Sequence, residues 1–354
     1  MKKKKKQAKK KLLKKQRKEI VVFQDPTIEE SSPISAVPQE KKSSISNHEF
    51  NLRLLLIPLI LMVILGILSL FTTSTARDLK AQQLPLNASV SADPYAYLTR
   101  SIEPPISAEA AIIMDSDSKV TVYKKNADVR FAMASTTKLM TSLVAMEHFS
   151  PQDILTVTTP NVSGQTLGFP LGEQLYFQDL LYAMLLPSSN HAANVIAHNY
   201  PGGYDIFIQR MNEKANEIAL ANTHYADPAG LNDVGNYTTA VDLARLAAEV
   251  VHNEVLARVV ATKYKIISNV SNTQSYPLSN LNILLGQAGV TGLKTGYTEG
   301  ARGVLATSVV VNGRTFIIVV MRSEERFSDT QVLLSYLGTD LDIFTPQVVL
   351  GETR

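Results

Sequence analysis

The chain has 354 residues, carries 35 Lys and Arg against 32 Asp and Glu for a net charge of +3, and contains no cysteine. That length suffices for a substantial hydrophobic core, while the missing thiols exclude disulfides, a cysteine nucleophile and a thiolate metal site. The six histidines, His48, His148, His191, His198, His224 and His252, show neither HExxH nor clustered spacing, so neither a metal nor an organic cofactor is expected.

In chain order, residues 1–53 come first, with 15 Lys and Arg against 6 Asp and Glu, a local charge of +9. The rest of the chain is therefore −6, and the basic character belongs to a tail. Charge blocks of this kind are expected to be disordered and solvated, and no nucleic-acid partner is inferred. Residues 54–71, LLLIPLILMVILGILSLF, form an uncharged run of 18 residues. As a helix it would span about 27 Å, close to the hydrocarbon thickness of a bilayer. Apolar residues on every face argue for a lipid-embedded helix rather than a core one.

Residues 54–72 are thus expected to be an uncleaved transmembrane signal anchor. The basic residues before it place the N-terminus in the cytoplasm and the body outside, by the positive-inside rule. The lysine run would rest against the anionic inner leaflet. Residues 73–105 are polar with scattered Pro and Ser and read as an extracytoplasmic linker.

Ordered structure is expected over residues 106–342, followed by a short tail over 343–354. Ala110–Met114 and Val120–Tyr123 read as strands joined by the polar turn DSDSK. A helix carrying Ser135 follows. Leu180–Tyr200, Asp205–Leu220 and Thr239–Val260 show helical periodicity. Gly303–Val311 and Arg314–Met321 read as strands joined at Asn312–Gly313, a strong hairpin signal, and a last helix is expected over Ser328–Leu337. A hairpin, then helices, then strands implies one mixed α/β domain, its helices packed against a sheet shared by distant strands.

Three short motifs occur in order: STTK at Ser135–Lys138, SSN at Ser188–Asn190 and KTG at Lys294–Gly296. On a helix, residues three apart share a face, so Lys138 can reach the Ser135 hydroxyl. A serine is a poor nucleophile until a base takes its proton. Lysine serves as that base only when burial and nearby positive charge lower its pKa; Lys294 and the helix N-terminus would both contribute. The same helix end offers the Ser135 N–H as an oxyanion donor. A serine at a helix start also has an ordinary reading as an N-cap.

SSN follows LLYAMLLP, where Pro187 breaks the helix, so Ser188 would shuttle a proton and Asn190 hold substrate. The alternative is that SSN caps the next helix. On a strand, Lys294 and Gly296 point the same way. Lys294 and Thr295 would meet a substrate carboxylate, and Gly296 would let a substrate backbone approach the edge. The Tyr297 N–H is the candidate second oxyanion donor.

These motifs, with AAIIMDSDSKVTVYKKNAD, LGEQLYFQDLLYAMLLPSSNHAANVIA, FIQRMNEKANEIALANTHYADPAGL, GLKTGYTEGA and EERFSDTQVLLSYL around them, resemble the serine-type D-alanyl-D-alanine carboxypeptidases, the low-molecular-mass penicillin-binding proteins. The resemblance implies a β-lactamase/transpeptidase-like fold, an antiparallel sheet flanked by helices with an all-helical subregion. It implies that Ser135 attacks the penultimate D-alanine of peptidoglycan stem peptides, with Lys138 as base and Ser188 as relay. Asn190, Lys294, Thr295 and Gly296 would bind substrate, Ser135 and Tyr297 N–H groups would form the oxyanion hole, and β-lactams would inhibit. A D,D-endopeptidase would use the same residues, and a non-catalytic penicillin-binding sensor is the reading from another class.

Departures from the family pattern stand at Ser189, His191, Tyr297 and Thr291. Leu281 replaces an arginine that some members place near the substrate carboxylate, and Arg302 stands at a usual glycine.

Overall fold

The computed structural model describes residues 62–65, 95–99 and 103–344. The basic tail and most of the expected anchor and linker lie outside these residues. Of the apolar run, Met62–Leu65 is described, and it is helical and exposed. Among the described residues no helix is long and apolar enough to cross a membrane.

The chain from residue 89 onward forms one compact unit. It begins with β1 (Tyr95–Leu98) and the expected hairpin of β2 (Ala110–Asp115) and β3 (Thr121–Lys125). β4 (Phe131–Ala132) leads into a 3-10 turn, Ala134–Thr137, and α1 (Lys138–His148). β5 (Ile154–Thr156) and β6 (Gln174–Tyr176) pair with each other around a long loop. The periodic stretch 180–200 is two helices, α2 (Phe177–Leu185) and α3 (Asn190–Asn199). Pro187 lacks the N–H a continuous helix needs, and Ser189 caps α3 by accepting from Ala192 N at 3.2 Å.

α4 (Gly203–Glu217) follows, then β7 (Tyr237–Thr238). The stretch 239–260 is likewise two helices, α5 (Ala240–His252) and α6 (Glu254–Val260). Asn253 ends one and caps the other, accepting from Val255 N and Leu256 N.

β8 (Tyr264–Ser268) and β9 (Ser275–Ser279) form a hairpin the periodicity does not announce. β10 (Val290–Thr298), β11 (Arg302–Val311) and β12 (Arg314–Ser323) follow, the last two turning at Asn312–Gly313 as expected. α7 (Arg326–Asp340) and β13 (Leu341–Phe344), which pairs with β1, complete the unit.

Five strands make one antiparallel sheet in the order β10-β11-β12-β2-β3. The first and last parts of the domain thus share it, as the element order implies. β2 is buried along its whole length because both faces of the sheet are covered. Ala110, Ile112 and Met114 enter the larger core with α1–α5, whereas Ala111 and Ile113 enter a second core with Phe316, Leu333 and Leu337 beneath α7. This is strand alternation applied to two apolar faces. β10 is an edge strand, and its residues lie against the 3-10 turn that carries Ser135.

Candidate active site

Ser135 sits in the 3-10 turn rather than in the α-helix proper. In that geometry residues three apart eclipse one another, so Lys138 at the start of α1 points back at Ser135. Its Nζ lies 2.8 Å from Ser135 Oγ. Ser135 does not cap the helix: Thr137 holds the N-cap position, and no side chain there makes a capping bond.

Lys138 is fully buried and donates two further hydrogen bonds, to Asn190 Oδ1 at 2.8 Å and to the Ala229 carbonyl at 2.6 Å. Burial holds its amine well below the usual lysine range, Lys294 adds repulsion, and Asp227 pulls the other way.

The geometry has a direct chemical consequence. Asn190 Oδ1 and Ala229 O can only accept. A neutral Lys138 therefore spends its two hydrogens on them, and its lone pair faces the Ser135 hydroxyl.

The three motifs converge here. Asn190 is buried, and both ends of its amide are committed: Oδ1 to Lys138, and Nδ2 to the Ser163 carbonyl at 2.8 Å. Its backbone N donates to Gln165 O at 2.7 Å. Ser188 is also buried, has a positive φ of 66°, and is a residue type for which that conformation is uncommon. Among the described residues its Oγ has no hydrogen-bond partner, an unusual state for a buried hydroxyl outside a functional site.

On β10, Lys294 is buried and its Nζ donates to the Thr295 carbonyl at 2.8 Å. Burial, and then the positive charge of Arg326, bring its pKa down to about 7. Thr295 Oγ1 accepts from Arg326 Nε at 2.6 Å. Tyr297 is exposed.

The need for glycine at position 296 has a source beyond the substrate. A Cβ there would lie 2.9 Å from Ser135 N and 3.0 Å from Ala134 Cβ. The strand edge and the nucleophile turn abut at this point, which brings the chain around Ser135 N–H and Tyr297 N–H together.

The departures resolve into separate places. His191 Nε2 lies 2.9 Å from the Thr159 carbonyl and its ring packs on Phe169, so it anchors the loop between β5 and β6. Thr291, exposed on the edge strand β10, meets Ser308 Oγ of β11 through its Oγ1 at 2.8 Å. Leu281 N donates to Leu186 O at 3.1 Å. Arg302 lies at the β10–β11 turn and faces Glu109 at 3.7 Å; Arg326, from the start of α7, is the arginine at the KTG strand.

Sequence reasoning missed Arg326 and Asp227. The first stood in EERFSDTQVLLSYL, outside the three short motifs, and was given no role. The second stood inside ADPAGLND, whose Asp-Pro and Gly are turn signals.

Comparison with known proteins agrees with this geometry. Residues 98–325 match the family model described as D-alanyl-D-alanine carboxypeptidase. A D-alanyl-D-alanine endopeptidase of Escherichia coli K12 is 29% identical over 265 residues, covering 72% of this chain and 85% of that protein. The D-alanyl-D-alanine carboxypeptidase DacF of Bacillus subtilis is 30% identical over 221 residues, 60% of this chain and 57% of that one. Among solved structures, the Streptomyces K15 DD-transpeptidase superposes with a TM-score of 0.62 at 28% identity, covering 66% of this chain and 98% of that chain. The chain belongs to the D-alanyl-D-alanine carboxypeptidase family and is an enzyme of that serine-hydrolase class.

Proposed function

We propose that the chain is a membrane-tethered serine D,D-carboxypeptidase that removes the terminal D-alanine from peptidoglycan stem peptides through an acyl-enzyme on Ser135. The observation that carries this reading is Lys138, buried and held by Asn190 Oδ1 and Ala229 O so that its lone pair faces Ser135 Oγ.

Neutral Lys138 takes the Ser135 proton as Oγ attacks the carbonyl of the penultimate D-alanine. The oxyanion forms between the N–H groups of Ser135 and Tyr297. Ser188, with its free hydroxyl, passes the proton to the departing D-alanine, and water then hydrolyses the ester. Lys294, Thr295 and Arg326 receive the terminal carboxylate. Asn190 acts through Lys138, since its amide is committed inside the protein.

The apolar run at 54–71 supplies the tether, with residues 1–53 cytoplasmic and the catalytic unit outside the cell membrane. β-Lactams, which imitate the terminal dipeptide, would acylate the same serine.

The test is release of D-alanine from a stem-pentapeptide mimic by the wild type and by Ser135→Ala. Release lost in the variant is expected; equal release, or none from either, contradicts the reading.

The endopeptidase named above is matched over 85% of its length, so cleavage of crosslinked peptides is the second reading. Comparing crosslinked muropeptides with pentapeptides as substrates separates the two.

A further inference from the structure

The third acceptor on Lys138, the Ala229 carbonyl, comes from a loop that no motif covers. β4 and β7 pair through Phe131↔Thr238 and Ala132↔Tyr237. That pairing brings the loop preceding β7, residues 226–236, against the 3-10 turn that follows β4. The contact is close. Gly230 has φ +83°, and a Cβ on it would lie 1.9 Å from the Ala134 carbonyl oxygen.

The shape of the loop is set by one side chain. Asp227 Oδ1 accepts from Ala229 N at 2.8 Å and Gly230 N at 2.6 Å. Oδ2 accepts from Leu231 N at 3.1 Å, Asn232 N at 2.8 Å and Asn236 Nδ2 at 2.6 Å. Four consecutive backbone N–H groups thus converge on one carboxylate, an anion-binding arrangement of the kind that fixes backbone direction. The carbonyls on the outer side of the turn then face α1. Pro228 O accepts from Thr141 Oγ1 at 2.7 Å, and Ala229 O accepts from Lys138 Nζ at 2.6 Å.

We propose that Asp227 is a positioning residue for catalysis: its carboxylate folds residues 229–232 into the turn that aims the Ala229 carbonyl at Lys138.

Two consequences follow. Without Ala229 O in place, a neutral Lys138 has only Asn190 Oδ1 to orient it, and its lone pair no longer faces Ser135 by necessity. The charges that act on Lys138 are also few. Lys294 on β10 lowers its pKa and Asp227 raises it, against a burial that dominates both. Tyr204, on α4, also feels Asp227; burial first, and then Asp227 and Asp205, push it up to about 12, so it stays neutral through the working range.

This inference rests on the proposed function, and the experiment separates the two. Acylation of the full-length protein by a labelled penicillin is followed against pH for wild type, Asp227→Asn and Asp227→Glu. An unlabelled wild type would count against the proposed function. With the wild type labelled, Asp227→Asn is expected to acylate on the order of 10–100-fold more slowly. Its acid limb should also move to lower pH, because removing the anion stabilises neutral Lys138. Asp227→Glu keeps the charge at a changed reach, so it should lose rate with its acid limb near the wild-type position.

A slow Asp227→Asn with an unmoved limb would show a role in the fold alone and overturn the proposal, as would wild-type kinetics. Should Asp227→Asn fail to fold, Asn236→Ala removes one donor to the carboxylate, together with the acceptor of Ala226 N, and leaves the charge. It is expected to slow acylation severalfold with the limb in place, and a wild-type rate there overturns the proposal.

Discussion

In the proposed mechanism the two buried amines, Lys138 and Lys294, do opposite work, and the expected pH dependence follows from their difference. Lys138 must be neutral to accept the Ser135 proton, so rate falls as pH drops through its depressed value. Lys294 must be charged to meet a carboxylate, so substrate affinity falls as pH rises past about 7 in the free enzyme. The kcat/KM profile is therefore expected to be a bell with its alkaline side set by Lys294. Burial is the larger cause of that low value and Arg326 the second. Arg326→Gln should accordingly move the alkaline limb upward and raise KM by about tenfold, through the lost charged hydrogen bond at Thr295. An unmoved limb would separate Arg326 from Lys294.

Stability carries the same signature. A lysine whose folded pKa lies below its unfolded value of about 10.4 costs stability fully below the folded value, and the cost fades as pH rises toward the unfolded one. For Lys294 that window runs from about 7 to about 10. Lys294→Met is expected to abolish activity yet raise Tm, more near pH 6 than near pH 10, as calorimetry would show. A lower Tm at both pH values would contradict the assigned burial cost.

Among the elements, β10 and the Ser135 turn form a single working unit. Gly296→Ala would place a methyl 2.9 Å from Ser135 N. It is expected to cost about 1–3 kcal/mol of stability and to slow acylation about 100-fold by shifting the nucleophile. A variant with native acylation would show that the turn yields at no cost.

Legibility differed among the elements for physical reasons. β2, β3, β11 and β12 announced themselves by apolar runs and turn residues, and Ser135–Lys138 by a spacing that survives the change from α to 3-10 geometry. The breaks at Pro187 and Asn253 fall inside apolar periodicity that continues across them, and only the first was legible, because proline cannot continue a helix whereas asparagine can. β8 and β9 carry Lys265, Pro277 and several serines, and their hairpin is held by a buried Glu173 that contacts Asn269 and Tyr276 at 3.1 and 2.7 Å. Such long-range polar contacts leave no local pattern. Arg326 was hidden likewise, because it meets Thr295 31 residues away, whereas Asp227 reads as part of a local turn and its reach shows only in the Ala229 carbonyl, which meets Lys138 91 residues away.

Across the whole chain from residue 95, the sheet joins β2 and β3 to β10–β12, and the helices between them pack against one of its faces. In the proposed mechanism the nucleophile and its base belong to the helical part, and the residues that would meet the carboxylate to the sheet edge. Substrate binding therefore bridges parts of the chain far apart in sequence, and ligand occupancy should stabilise the catalytic unit as one. The apolar run at 54–71 lies well before this unit. In cell fractionation the full-length protein is expected in the membrane pellet after a high-salt wash, which strips purely electrostatic attachment. Recovery in the soluble fraction would contradict an anchoring role.

The proposed mechanism turns on an ester at Ser135, formed with Lys138 as base. It is tested most directly by mass spectrometry of the full-length protein quenched after mixing with a labelled penicillin, with the adduct mapped by proteolysis. One adduct is expected, on the peptide carrying Ser135, absent in Ser135→Ala and formed far more slowly in Lys138→Met. An adduct at another residue, or an undiminished rate in Lys138→Met, would contradict it.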